Sequence, residues 1–65
     1  MRLTVNGEVL EASAATLAEL LNELEYEGDW LATAVNGELV RAPDRDGCRL
    51  TDEDRIEILS PMQGG

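Results

Sequence analysis

The pair Asn-Gly occurs twice in this chain, each time inside a short apolar run: "LTVNGEVL" around Asn6-Gly7 and "TAVNGELV" around Asn36-Gly37. Both central positions of a type I′ turn need φ > 0, and Asn and Gly accept that conformation more readily than other residues. Each pair therefore predicts a two-residue hairpin. Before the first turn, Met1, Leu3 and Val5 alternate with Arg2 and Thr4, the period of a half-buried strand. Val9 and Leu10 are adjacent apolar residues, so period alone does not set the register of the returning strand. Around the second turn, Leu31, Thr33 and Val35 share one face and Ala32 and Ala34 the other. Side chains as small as these alanines predict a face on which another element packs closely. In "RIEILS", Ile56 and Ile58 alternate with Arg55 and Glu57, which predicts a last strand. Pro61 ends it, because proline offers no N–H to a ladder.

Between the hairpins the period changes. Leu17, Leu20, Leu21 and Leu24 fall at i, i+3, i+4 and i+7, one apolar stripe of a helix. Thr16 with Glu19 three residues on makes a capping box, and Gly28 fits the position just past a helix end. The expected helix runs from Thr16 to Tyr26. "RAPDRDGCRL" reads as a polar loop and "TDED" as a turn. One helix cannot cover both faces of a sheet. The order hairpin, helix, hairpin, loop, strand therefore predicts an α+β roll, a mixed sheet of about five strands wrapped around one main helix. The crossover through the helix permits a parallel central pair. The predicted core is Leu3, Val5, Leu17, Leu20, Leu21, Leu24, Val35, Leu50, Ile56 and Ile58.

With 65 residues there is room for one small domain. Residues 1–60 are expected to fold and 61–65 to form a flexible tail. Fourteen acidic residues against five arginines leave a formal net charge of −9, with no lysine and no histidine. Such a surface repels nucleic acid and anionic lipid and favours docking onto a basic protein surface. The carboxylates of Glu25, Glu27, Asp52, Glu53 and Asp54 read as solvated surface. The single cysteine, Cys48, makes no internal disulfide and reads as a small, semi-buried filler. Metal binding lacks histidine and cysteine ligands, and nucleophilic catalysis lacks an activating base, so no catalytic residue and no metal ligand is expected. No apolar run approaches a membrane span, and "MRLTVNGEVLE" lacks the apolar segment of a secretory signal. The expectation is a cytoplasmic protein that is not itself an enzyme.

The sequence closes on "SPMQGG". Without Cβ atoms, Gly64 and Gly65 can enter a channel too narrow for other residues, in backbone conformations that others do not adopt. A terminal carboxylate on Gly65 would be a poor electrophile until ATP converted it to an acyl-adenylate. A sulfur or amine nucleophile could then attack. Nothing else in the chain can run that chemistry, so a partner enzyme must.

The two Asn-Gly hairpins, "TLAELL", "AVNGELV", "DRIEIL" and the terminal "QGG" together resemble the sulfur carrier proteins of the thiamin pathway, the ThiS family. The similarity spans essentially the whole chain. It implies a ubiquitin-like β-grasp fold. It also implies that an adenylating enzyme of the ubiquitin-activating type would use ATP on Gly65. A sulfur donor such as a cysteine desulfurase would supply a thiocarboxylate, and thiazole synthase would consume it. On this resemblance Gly65 is the modified residue, Gly64, Gln63 and Met62 lead into the partner's channel, and the carrier binds no cofactor of its own. "VRAPDRDG" and Asp52-Glu53-Asp54 depart from the family's usual loops, so contacts of Arg41, Ala42 and Arg45 are not carried over. Other readings of a Gly-Gly tail are the small subunit of molybdopterin synthase, a protein modifier joined to lysines, and a plain interaction module.

Overall fold

The computed structural model describes residues 1–26 and 30–60. Strands β1 (Arg2–Val5) and β2 (Glu8–Glu11) form the first hairpin, helix α1 (Leu17–Glu23) follows, and β3 (Ala32–Val35) and β4 (Glu38–Val40) form the second. A 3-10 turn at Ala42–Asp44 precedes the last strand, β5 (Arg55–Leu59). The five-stranded sheet has the order β2-β1-β5-β3-β4. Its central pair, β1 and β5, is parallel, and every other pairing is antiparallel. This is the mixed roll that the periodicities predict, and it agrees with the β-grasp fold that the resemblance implies.

Both hairpins close as expected. Asn6 and Gly7 have φ of 50° and 86°, and Asn36 and Gly37 have 52° and 86°. The pairing of Leu3 with Leu10 and of Thr4 with Val9 settles the register of β2, with Leu10 packed against the core and Val9 exposed.

Among the described residues, only one face of the sheet is covered. Leu17, Leu20 and Leu21 of α1 form one buried cluster with Leu3, Val5, Ile56 and Ile58 of the strands, together with Ala12, Ala14, Leu31 and Leu50. Leu3, Leu17 and Leu20 are fully buried, and burial of each such side chain contributes about 1.5–3 kcal/mol. Two residues predicted for this core, Leu24 and Val35, are only half-buried at its rim. Leu24 sits at the helix end and Val35 beside the turn, where fewer neighbours surround them.

The helix is shorter than predicted. Its seven residues end at Glu23, not Tyr26. The reason is Glu25, whose φ of 65° is left-handed. Tyr26 N–H donates to the Leu21 carbonyl (2.9 Å) and Glu25 N–H to that of Asn22 (3.0 Å). This pair of bonds is a Schellman closure, which usually places glycine where Glu25 stands. Gly28, the expected stop, lies outside the described residues.

At the other end, Glu19 N–H donates to Thr16 Oγ1 (3.2 Å) as the capping box requires. The return bond lands one residue early, because Glu19 Oε1 accepts from Ala15 N–H (2.8 Å). The next two helical amides are satisfied from the segment read as a plain loop. Leu17 N–H donates to the Cys48 carbonyl (2.9 Å) and Ala18 N–H to that of Arg45 (3.2 Å). That segment is therefore a folded cap on α1.

Candidate functional site

Met62, Gln63, Gly64 and Gly65, the residues expected to carry the chemistry, lie outside the described residues, as does Pro61. The structure describes the strand that leads to them. β5 pairs with β3 over four residue pairs, from Val35↔Ile56 to Ala32↔Leu59. On its other edge β1 reaches only Arg55 and Ile56. Beyond that point the turn takes over. Asn6 Oδ1 accepts from Ile58 N–H (2.8 Å) and Asn6 Nδ2 donates to the Ile58 carbonyl (3.1 Å), so a side-chain amide stands in for the next peptide of β1. Asn36 acts similarly at the start of β5. Its Oδ1 accepts from Arg55 N–H (2.9 Å) and its Nδ2 donates to Asp54 Oδ1 (2.9 Å). The strand before the tail is thus held on both edges, by main chain and by two turn asparagines.

Asp54 was expected to be solvated surface, but it is buried. It also accepts from Thr51 N–H (2.8 Å) and from Thr51 Oγ1 (3.0 Å). Burial pushes its carboxyl up. The hydrogen bonds from Thr51 and Asn36 oppose this and leave it below its ordinary value. Asp52, by contrast, is exposed and accepts from Arg2 N–H. Burial raises the Cys48 thiol, and the charge of Asp54 raises it further. Both effects disfavour a reactive thiolate, in keeping with a half-buried filler.

The outward face of the sheet differs from the expectation. Ala32 and Ala34 do not receive a packed element of this chain among the described residues. They line a shallow apolar recess with Leu39, Leu59 and Glu57. Leu39 is 73 % exposed and Leu59 69 %. Leu59 pairs with Ala32 at the end of β5, so the recess lies at the foot of the tail.

Sequence reasoning missed Arg45. Its side chain is buried, and its guanidinium donates from Nε to Thr33 Oγ1 (3.0 Å) and from Nη2 to the Leu31 carbonyl (2.6 Å). Thr33 Oγ1 in turn donates to the Val40 carbonyl (2.7 Å). Arg45 therefore ties the loop, the cap of α1 and β3 together. One sequence signal pointed to it: Thr33, a polar residue on an otherwise apolar face, needs a partner. Among the described residues no three acidic or cysteine side chains form a metal-holding group, and no helix is long and apolar enough to cross a membrane.

No curated protein matches the chain. A crystal structure of a thiamine biosynthesis protein, ThiS, from Geobacter metallireducens is 32 % identical, with full coverage of both chains and a TM-score of 0.82. A solution structure of a thiamine biosynthesis protein from the same organism is also 32 % identical, covering all of this chain and 88 % of that one, with a TM-score of 0.81. The ThiS family model matches residues 2–65, and the chain belongs to the ThiS family.

Proposed function

We propose that this chain is a sulfur carrier for thiamin biosynthesis, with Gly65 as the residue that is loaded. The match to the ThiS family through to residue 65 carries this reading. The reading requires a free α-carboxylate on Gly65. A partner adenylating enzyme of the ubiquitin-activating type joins that carboxylate to the α-phosphate of ATP and releases pyrophosphate. A persulfide supplied through a cysteine desulfurase then displaces AMP, and a second thiol cleaves the resulting acyl disulfide by thiol–disulfide exchange, leaving a thiocarboxylate. Thiazole synthase takes the sulfur into the thiazole ring. ATP and every catalytic group belong to the partners, so the chain is a substrate and carrier rather than an enzyme. ATP-dependent activation is cytoplasmic chemistry.

The sheet supports this role by giving the tail a firm base. Five residues beyond Ser60 reach at most about 18 Å when extended, so the partner's active centre must lie within that distance of Ser60. Gln63, Gly64 and Met62 span this gap. The apolar recess around Leu39 and Leu59 adjoins the same point and serves as the wall that the adenylating enzyme contacts.

Intact mass tests the reading. With the adenylating enzyme, ATP and a sulfur source, the chain gains about 16 Da as sulfur replaces one oxygen of the activated acyl group. Deleting Gly65 abolishes the gain and leaves melting unchanged, because the described core is complete by Ile58. A chain that gains no sulfur, or that is recovered only as adducts on lysines of other proteins, overturns it.

A further inference from the structure

Both turn asparagines are followed by glycine, and both are held by hydrogen bonds to β5 or to the residue before it. We propose that Asn6 and Asn36 are spontaneous deamidation sites that β5 keeps closed, and that conversion of Asn36 is the one that damages the fold. In the reaction the Gly37 amide nitrogen, after giving up its proton to solvent, attacks Asn36 Cγ. The Cγ–Nδ2 bond breaks and ammonia leaves, carrying the side-chain nitrogen. The resulting succinimide takes up one water. Opening at Cγ gives aspartate, and opening at the main-chain carbonyl gives isoaspartate. The same steps apply to Asn6 and Gly7, and no oxidant or cofactor is needed. Glycine favours the attack because no side chain shields its nitrogen, and a Cβ at Gly7 or Gly37 would meet nothing within 4 Å.

The structure opposes the first step. Attack requires the asparagine side chain to swing over the following nitrogen. In the fold each amide makes two hydrogen bonds away from it, Asn6 to Ile58 and Asn36 to Arg55 and Asp54. Main-chain bonds from Asn6 N–H to Ile56 (2.9 Å) and from Asn36 N–H to Arg55 (2.7 Å) hold both turns against β5 as well. Reaction therefore proceeds from molecules in which β5 has opened, at a rate set by their population. The products are unequal. At position 6 a carboxylate still accepts from Ile58 N–H, loses the bond to the Ile58 carbonyl and faces only that carbonyl's partial charge rather than a full one. At position 36 a carboxylate oxygen replaces the donor that stood 2.9 Å from Asp54 Oδ1, setting an exposed carboxylate against the buried one of Asp54. The other oxygen still accepts from Arg55 N–H, so the loss falls on the contact with Asp54.

The test incubates the full chain in mildly alkaline buffer with and without denaturing urea. Peptide mapping follows the gain of about 1 Da at each asparagine. Asn22, which precedes Glu23 inside α1, serves as a control and should stay intact in the folded chain. Expected are reaction at both Asn-Gly sites in urea and rates at least about tenfold lower in the folded chain. Asp54→Ala should speed Asn36 several-fold relative to Asn6 in the folded chain, a ratio that a general loss of stability would not change. Asn36→Asp, the product itself, should melt about 5 °C or more below the parent, and Asn6→Asp by clearly less. Equal rates with and without urea overturn the closure by β5, and this comparison needs no variant to fold. An unchanged Asn36 to Asn6 ratio in Asp54→Ala, or equal melting of the two aspartate variants, overturns the special role of Asn36.

Discussion

The two faces of the sheet share strands but obey different rules. On the inner face the strand residues Leu3, Ile56 and Ile58 meet the leucines of α1, and even the polar members, Thr33 and Arg45, are satisfied by one another and by main chain. On the outer face Ala32 and Ala34 lie between two exposed leucines, Leu39 and Leu59, with no cover from the described chain. Both faces come from the same alternation, residue by residue along β3 and β5. The difference teaches that alternation says which residues share a side but not which side is filled from within. A chain with one helix must leave a face open, and apolar residues placed there serve something other than its own core.

The contrast breaks first on the inner face. Leu20→Ala removes a fully buried side chain and leaves a cavity, with an expected loss of about 2–5 kcal/mol. A urea midpoint equal to the parent's would show that α1 does not cover this sheet. Next comes Arg45→Ala. It strands the Leu31 carbonyl and removes the donor to Thr33 Oγ1, at an expected cost of about 1–3 kcal/mol. Arg45→Met, which keeps volume but no donor, separates packing from hydrogen bonding. If Arg45→Met restores parental stability, the guanidinium contributes only its apolar stem.

These effects also mark what could be read in the sequence. The hairpins, the crossover and most of the core followed from period and turn chemistry, because Asn-Gly and the leucine stripe are local signals. The helix end did not. Glutamate is a poor left-handed residue, so nothing at Glu25 announced a stop, and Gly28 drew the boundary three residues too far. Arg45 and Asp54 escaped for another reason. Arg45 depends on Thr33 and Leu31 in another element, which no spacing within the loop encodes, and Asp54 joins a local partner, Thr51, to a distant one, Asn36, of which only the first lay within the turn. The tail glycines are plain in sequence, and the role proposed for them rests on family membership and on a partner's chemistry.

A smaller change acts at the end of the helix that covers the inner face. Glu25 holds φ at 65° with its side chain exposed, so Glu25→Gly relieves a strained backbone without removing a buried contact. Glycine's extra freedom in the unfolded chain offsets part of the gain. The net expectation is a rise in stability of about 0.5–1 kcal/mol, read as a higher urea midpoint with unchanged slope. A fall would mean that the Schellman closure at Leu21 and Asn22 does not govern this end.

The smallest expected effect on stability comes from the outer face. Leu39 and Leu59 are each more than two-thirds exposed, so Leu39→Ser and Leu59→Ser lose little burial and should alter stability by no more than about 0.5 kcal/mol. The same substitutions on the inner face would cost several times more. Their consequence should appear elsewhere, in the rate at which the adenylating enzyme activates the chain. The recess they line adjoins the end of β5, so a partner that receives the tail must approach along it. Truncating an apolar anchor at the centre of such a contact commonly costs more than 1 kcal/mol of binding. A loss of about tenfold in activation at low carrier concentration is therefore expected for the double variant, corresponding to about 1.4 kcal/mol. Saturating carrier should restore the rate, because the tail itself is untouched. A double variant that melts like the parent and is activated like the parent would leave the exposed leucines without a role in this transfer. One that is poorly activated even at saturation would show that the face positions the tail rather than merely binding the partner.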